Sequence, residues 1–266
     1  MHHPGVSPDE LDDRAIEAFV REREAESNGL ELPPVVVVIA AYNEEEAIGA
    51  VLDGLPAEVC GMPAATLVVV DGAADGTAEV ARRHGAVVCE VPVNRGQGAA
   101  LRLGYRIARE GGARYLITTD ADGQYDPADV ESLLGPVLGD EADFVTGSRR
   151  LGQEETTDPV RRLGVRVFAW LVSALAGQRI TDTSFGLRAM RADVTAEVEL
   201  RQPQYQAAEL LIALIASGHR VMERPGRMRR RLAGESKKGH NLLFGLRYAR
   251  VVIGTWLRER RSRHVP

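Results

Sequence analysis

Short apolar runs alternate with amphipathic segments along most of the chain. The run VVVVIAAY at 35–42 is dominated by β-branched residues, which is typical of a buried parallel strand, and a segment with helical spacing follows at 44–55. Strands are predicted again at 66–71, 86–91, 114–120 and 143–148, and further helices are predicted to begin at 77, 98 and 127. Five strands that alternate with helices favour a Rossmann-like, mostly parallel α/β sheet with helices on both faces.

Polar residues stand where three of these predicted strands end. Tyr42 and Glu44 follow the first strand, Asp71 ends the second, and Asp120 and Asp122 follow the fourth. In open α/β sheets, ligands bind beyond the carboxyl ends of the strands. We therefore expect these side chains to converge on one rim of the sheet.

The two ends of the chain differ from its middle. Residues 1–33 hold nine acids and three arginines and are expected to form an acidic, partly helical appendage, ahead of the main α/β domain at 34–238 and a basic amphipathic helix at 239–266. This helix and the segment 159–177 mix apolar residues with arginines and are too charged to span a bilayer. Both suit helices that lie in a membrane interface, and packing on the sheet as ordinary amphipathic helices is the alternative.

Composition and charge narrow the class of protein. With 266 residues, 44% of them hydrophobic, the chain can form one ordinary core, and two separated cysteines, Cys60 and Cys89, indicate a reducing, cytoplasmic setting. Residues 219–266 hold fourteen Lys or Arg against three acids, so residues 1–218 carry a net charge of −16. A basic tail of this kind favours contact with phosphate or a membrane surface, or it is simply solvated. No recognised module or interleaved aromatic pattern indicates nucleic-acid binding.

The strongest local signal is TTDADGQY, in which two carboxylates at i and i+2 directly follow a predicted buried strand. Once the strand has ended, Asp120 and Asp122 can converge on one cation, with Gln124 two residues later. Hard oxygen ligands of this kind suit Mg²⁺ or Mn²⁺, which keep open positions for diphosphate oxygens. Such a pair alone is weak evidence, and its context carries the prediction.

Seven motifs occur in order between residues 35 and 239: AAYNEEEAI, VVVDGAADGT, NRGQGAALRLGY, TTDADGQY, GSRR, DTSFGLRAM and RRLAGESKKG. Together they resemble the family 2 glycosyltransferases of GT-A fold, and within that family the polyprenol-phosphate, or dolichol-phosphate, sugar transferases. The resemblance implies an inverting, metal-dependent transfer of a hexose from a GDP- or UDP-sugar to polyprenyl phosphate, by a protein peripheral to the cytoplasmic face of the membrane.

The resemblance also implies a role for each matched position. A nucleotide sugar is expected to contact Tyr42, Glu44, Asp71, Asp120 and Arg188. The metal ligands are expected to be Asp120, Asp122 and Gln124, and phosphate is expected to meet Arg149, Arg231, Ser236 and Lys237. Metal and guanidinium groups stabilise the charge that develops on a leaving diphosphate.

The acceptor decides whether a general base is needed. An alcohol needs one, and Glu209 and Asp182 are the available carboxylates. A phosphate is already an anion and needs cations to position it, which the basic C-terminal third offers. The alternatives are the same donor chemistry on a soluble acceptor, such as a sugar, a phosphoglycerate or a secondary metabolite, and a non-catalytic nucleotide-sugar-binding protein. A dinucleotide-binding oxidoreductase is disfavoured because the segment GQGAALRLG lacks the third glycine of GxGxxG and follows the third strand.

Some positions depart from the family pattern, and others have a structural interpretation. The usual double aspartate is Val70-Asp71 here, Gln97 stands where relatives often have lysine, and Ser184 stands where they have glutamine. Structural roles remain open for several site residues: a core position for Tyr42, helix N-terminal or turn positions for Glu44, Asp71 and Asp75, solvation for Arg149 and Arg150, and an Arg188–Asp182 ion pair behind the site.

Overall fold

A computed structural model describes residues 8–25, 29–155, 159–231 and 241–262. In these ranges the strands are β1 (Val35–Ala41), β2 (Glu58–Val59), β3 (Met62–Asp71), β4 (Val87–Val91), β5 (Tyr115–Asp120), β6 (Phe144–Glu154), β7 (Arg188–Arg191) and β8 (Val221–Met228). The helices are α1 (Pro8–Ala25), α2 (Glu45–Gly54), α3 (Thr77–Arg83), α4 (Gln97–Glu110), α5 (Val130–Leu138), α6 (Pro159–Ala176), α7 (Gln206–Ala216) and α8 (Asn241–Ser262). All five predicted strands are present.

The strands form one sheet in the order β2-β3-β1-β5-β7-β6-β8, with β4 also paired to β3. The centre is parallel: Val37 of β1 lies opposite Thr66 of β3 on one side and Ile117 of β5 on the other. The carboxyl ends of β3, β1 and β5 therefore meet at the same edge of the sheet, as the sequence predicts.

Three strands fall outside the predicted alternation: the two-residue strand β2, which is antiparallel to β3, and the strands β7 and β8. β7 lies between β5 and β6 and is antiparallel to both, so β6 is not the direct neighbour of β5. The apolar pattern does not predict β7 because its sequence, RAMR, has an arginine at each end. It does not predict β8 because VMERPGRM mixes charges with Pro225, a residue that sheets tolerate at an edge or a bulge. The sheet is therefore mixed rather than wholly parallel.

The two faces of the sheet are covered by separate helical layers. Val36 and Val38 of β1 point into a core shared with α1, α4, α6, α7 and α8, whereas Val35, Val37 and Ile39 point into a core shared with α2, α3 and α5. This alternation follows from the two-residue period of a strand, and it explains why a strand covered on both faces is apolar at every position. Full burial of one such side chain contributes about 1.5–3 kcal/mol.

The terminal helices pack on the same core. Ile16 and Phe19 of α1 are buried in it, and so are Tyr248 and Val252 of α8. The N-terminal segment is therefore helical, as expected, but it packs against the sheet domain. Within the described ranges, no helix combines the length and apolar character that a membrane span requires.

The helix α6 leaves a larger apolar face exposed than α8 does, in which Ile253 and Leu257 are each 43% exposed. Its residue Val172 is buried in the core, yet Leu163, Val167 and Trp170 are 61%, 50% and 70% exposed. Their spacing of four and three residues places them on one face of the helix. This exposed stripe is consistent with the membrane alternative for α6, while the buried face of α8 fits the packing alternative.

Glycine at 104 lets α4 approach the sheet closely. A Cβ atom at Gly104 would lie 2.4 Å from Cγ1 of Val38 and 3.2 Å from Cγ2 of Val69.

We expect Gly104→Ala to lower the free energy of unfolding by about 1–3 kcal/mol, because the overpacked helix must move. Gly135→Ala in α5 is the control: its Cβ meets open space, so helix propensity should make it neutral or stabilising by up to about 1 kcal/mol. Urea unfolding of both variants checks this, and equal effects would contradict the close-approach explanation.

Candidate active site

The carboxylates after β5 lie at the centre of the rim. Asp122 is only 3% exposed; its Oδ1 accepts the backbone N–H of Gln124 at 3.0 Å, and its Oδ2 lies 2.8 Å from Nη2 of Arg231. Burial, and then the nearby charge of Asp120, raise the pKa of Asp122 to about 6. A positive charge beside Asp120 and Asp122, such as that of Arg231, therefore stabilises the ionised carboxylates.

Asp120 is held from the side of α4. The Gln97 amide nitrogen donates to Oδ1 of Asp120 at 2.9 Å, so the residue that replaces the usual lysine still contacts this carboxylate. Gly186 approaches from the other side: a Cβ there would lie 3.0 Å from the same oxygen and 2.7 Å from Cε2 of Tyr125. Tyr125 and Gly186 lie within the motifs TTDADGQY and DTSFGLRAM, but the sequence assigns neither a role, and their close approach places them beside Asp120.

The donor set fits a hard divalent cation. Two carboxylates follow one strand within three residues, and the Arg231 guanidinium already places positive charge against one of them. Among the described residues, no group of three His, Cys, Asp or Glu side chains forms a complete metal cage. Mg²⁺ is typically bound by one or two carboxylates together with substrate phosphates, so two protein carboxylates are sufficient for such a site.

Gln124, the third predicted metal ligand, contacts the end of β8. Its Nε2 donates to the Arg229 carbonyl at 3.2 Å, and its own carbonyl accepts the Arg229 N–H at 2.7 Å. These two bonds fasten the turn after β5 to the last strand. Metal ligation by Gln124 stays a prediction.

Three arginines at the end of β8 pair with three aspartates that follow β5, and we call Arg227, Arg229 and Arg231 the arginine ladder. The closest contacts are 2.7 Å from Arg227 to Asp129, 2.6 Å from Arg229 to Asp126 and 2.8 Å from Arg231 to Asp122. The motifs single out only Arg231. The alternation of arginines in RMRRR is the sequence signal for the other two, because residues two apart in extended backbone lie on the same side. Ser236 and Lys237, the other predicted phosphate contacts, lie outside the described residues.

Asp71 binds two backbone N–H groups of the loop before α4, a contact that the motifs do not predict. It is 2% exposed, and its carboxylate accepts the Arg95 N–H at 3.0 Å and the Gly96 N–H at 2.7 Å. Burial raises the pKa of Asp71, although these hydrogen bonds oppose the effect. Gly72 is needed beside it, since its φ is +67° and a Cβ would lie 2.2 Å from the Asn94 nitrogen. Asp71 therefore holds the loop at 92–96 against the end of β3.

The end of β1 is joined to the turn before α3. Asn43 has a φ of +53°, and its side-chain oxygen accepts the Ala74 N–H at 2.8 Å, while the Glu44 N–H donates to the Thr77 hydroxyl at 2.9 Å. Tyr42, directly before Asn43, is 38% exposed, which rules out a core role for its ring. Its contact with a nucleotide base stays a prediction.

Arg149 and Asp182 form a buried pair. The Arg149 Nε lies 2.6 Å from Oδ2 of Asp182, and the exposed fractions of the two residues are 5% and 0%. The expected Arg188–Asp182 pair is therefore wrong: Arg188 donates to the Phe185 carbonyl at 2.7 Å instead. The solvated alternative for Arg149 is wrong as well, because the pair holds the start of the 182–187 segment against β6.

Glu209 is not available as a general base, contrary to expectation. It is fully buried in α7, and its carboxylate accepts the backbone N–H groups of Arg201 and Gln202 at 3.0 and 2.9 Å and a guanidinium N–H of Arg258 at 3.2 Å. A carboxylate with its oxygens satisfied in this way anchors the preceding loop and α8. Local sequence does not reveal this, because Arg258 lies 49 residues away.

Comparison with known proteins agrees with this geometry. Residues 36–198 match the profile described as Glycosyl transferase family 2. A dolichyl-phosphate hexose transferase of Haloferax volcanii is 35% identical over 203 residues, which are 76% of this chain and 86% of that protein. An undecaprenyl-phosphate mannosyltransferase of Micrococcus luteus is 31% identical over 218 residues, again 76% of this chain and 86% of that protein.

Solved structures show the same fold. The crystal structure of glucosyl-3-phosphoglycerate synthase from Mycobacterium tuberculosis with Mn²⁺, UDP and glucosyl-3-phosphoglycerate has a TM-score of 0.63 at 20% identity, covering 96% of this chain and 86% of that one. At this identity the likeness shows the GT-A fold alone. The profile covers more than half of the chain, and the ordered motifs predict the same family. The chain is therefore a glycosyltransferase that belongs to glycosyl transferase family 2.

Proposed function

We propose that the protein transfers a hexose from a nucleoside diphosphate sugar to a polyprenyl phosphate at a membrane surface. The observation that carries the lipid acceptor is the exposed apolar stripe of α6, formed by Leu163, Val167 and Trp170. Arg162 and Arg166 lie exposed on the same helix. An apolar face flanked by arginines is the pattern of a helix that enters a membrane interface.

The position of the stripe supports this assignment. Strand β6 begins in the sheet, carries the buried Arg149 and continues to Glu154, and α6 begins at Pro159 a few residues later. The helix that would face the membrane thus follows closely in the chain after the strand that carries Arg149. A lipid phosphate whose tail stays in the bilayer would reach the rim from this side. The names of the relatives from Haloferax and Micrococcus agree with a polyprenyl phosphate acceptor.

The donor would bind across the ends of β1 and β5. Tyr42 would stack on the base, and Asp120 and Asp122 would hold a Mg²⁺ or Mn²⁺ together with the diphosphate. The bound ion would neutralise charge on the leaving diphosphate. Arg231 lies beside Asp122, and in this proposal its guanidinium would bind a phosphate oxygen. Ser236 and Lys237 keep their proposed roles in phosphate binding.

The proposed reaction is a single in-line displacement with inversion. An oxygen of the acceptor phosphate forms a bond to the anomeric carbon while the bond from that carbon to the donor β-phosphate oxygen breaks. The nucleoside diphosphate leaves with the electron pair of that bond. The acceptor oxygen is already ionised near neutral pH, so no proton is removed, and the burial of Glu209 does not stand in the way. Catalysis then depends on positioning and on stabilising charge.

The carboxylate pair gives the first prediction about function. We expect Asp122→Ala to reduce transfer from the nucleotide sugar by about a hundredfold or more, since a ligand to the diphosphate's counter-ion is lost. Asp53→Ala, an exposed aspartate paired with His84, is the control and should keep wild-type turnover. Release of nucleoside diphosphate measures both variants, with UDP- and GDP-hexoses as donors and Mn²⁺ present or chelated. Near wild-type activity in Asp122→Ala would exclude the metal role.

The exposed apolar stripe of α6 gives the second prediction about function. Wild-type protein should float with anionic liposomes, and Val167→Ser combined with Trp170→Ser should lower its partition coefficient about tenfold or more, because two apolar side chains no longer enter the interface. Val93→Ser is the matched control: Val93 is 41% exposed but lies in the loop before α4. Wild-type protein that stays wholly in the soluble fraction would favour the soluble-acceptor alternative, and the acceptor test would then turn to sugars and phosphoglycerates.

A further inference from the structure

Helix α1 lies outside the segment that matches the family profile, yet one of its carboxylates reaches the loop that leads into the site. Asp12 is 2% exposed, with Oδ1 2.7 Å from Nη1 of Arg95 and Oδ2 2.9 Å from Nε of Arg102. A buried carboxylate is costly unless it is paired, and here two guanidinium groups pair it. The burial of Ile16 and Phe19 on the same helix holds Asp12 in this position.

Arg95 depends on Asp12 for its side-chain position. Among the described residues, Asp12 supplies the one hydrogen bond that the Arg95 guanidinium makes, since Nε and Nη2 are buried without partners. The backbone N–H of Arg95, in turn, donates to both carboxylate oxygens of Asp71 at 3.0 Å. The side chain and backbone of one residue therefore connect α1 to the end of β3.

The same loop reaches the carboxylate pair. Gly96 follows Arg95 and also donates to Asp71, and Gln97, the first residue of α4, contacts Asp120 at 2.9 Å. Three consecutive residues thus bond to Asp12, Asp71 and Asp120, so a shift of the loop would move two strand-end carboxylates of the rim.

We infer that Asp12 is a positioning residue for the donor nucleotide: through Arg95 it holds the 95–97 loop so that Asp71 and Asp120 keep their places at the rim. This inference rests on the proposed function, because it takes these strand ends to be the donor site. Asp12 touches neither the donor nor the acceptor. Its loss should weaken nucleotide binding and leave the chemical step almost unchanged.

Two neighbouring carboxylates allow a matched comparison. Asp12→Asn should raise the Kd of UDP or GDP, measured calorimetrically with Mn²⁺, and the KM of the nucleotide sugar by about five- to tenfold, with kcat within about twofold of wild type. Asp13→Asn should leave all three unchanged, because Asp13 is half-exposed and pairs with Arg106 away from the loop. Asp12→Glu, which keeps the charge, should recover part of the lost affinity.

A second variant distinguishes positioning of the 95–97 loop from mere attachment of α1 to the rest of the fold. Arg102→Gln removes the other partner of Asp12 but keeps the contact between Asp12 and Arg95. It should lower the melting temperature while leaving the Kd within about twofold of wild type. Asp12→Asn and Arg95→Met should be non-additive in their effect on Kd, because both break the same contact.

The outcomes distinguish this inference from the function on which it rests. Absence of nucleoside diphosphate binding to the wild type, with any base, would overturn the donor site and this inference with it. Wild-type binding with an unchanged Kd in Asp12→Asn would overturn the inference alone. Equal losses of affinity in Asp12→Asn and Arg102→Gln, matched by equal falls in melting temperature, would also overturn it, because they would reduce Asp12 to a fastening for α1.

Discussion

Two carboxylates at the end of one strand need positive charge nearby, and much of the rim is arranged to supply it. Asp120 and Asp122 are separated by one residue, and burial together with their mutual repulsion raises the pKa of Asp122 to about 6. The neutral amide of Gln97 donates a hydrogen bond to Asp120, and the Arg231 guanidinium places positive charge beside Asp122. In the proposed reaction a divalent ion would supply further positive charge at the same edge of the sheet.

The groups of the site come from two parts of the sheet. The carboxylates belong to the parallel part formed by β3, β1 and β5, whereas the arginine ladder belongs to β8 at the far end of the strand order. The segment after Asp120 reaches the end of β8, where its three aspartates each pair with one arginine of the ladder. In the proposed function, donor binding and phosphate positioning would therefore depend on separate strands.

The parts that the sequence predicts are those with a strong local signal. The buried strands are continuous runs of β-branched residues, and the Asp120–Asp122 pair belongs to a contiguous motif. The other contacts of the site depend on partners that are far away in the sequence. Glu209 pairs with Arg258, and Asp182 pairs with Arg149. The partners are far apart in the sequence, so a short stretch of residues predicts neither contact. Short, charged strands such as β7 give no apolar run and take their place only because neighbouring strands pair with them.

The uneven charge along the chain has a meaning beyond contact with phosphate. Part of the basic C-terminal third neutralises acids of the same molecule, with ladder contacts that join residues 98 and 103 positions apart. Chains are synthesised and fold from the N-terminus, and contacts between distant residues form late. During translation the acidic turn after β5 leaves the ribosome long before β8 is made. The carboxylates that follow β5 thus emerge before their partner arginines, and these ion pairs form only after β8 has been made.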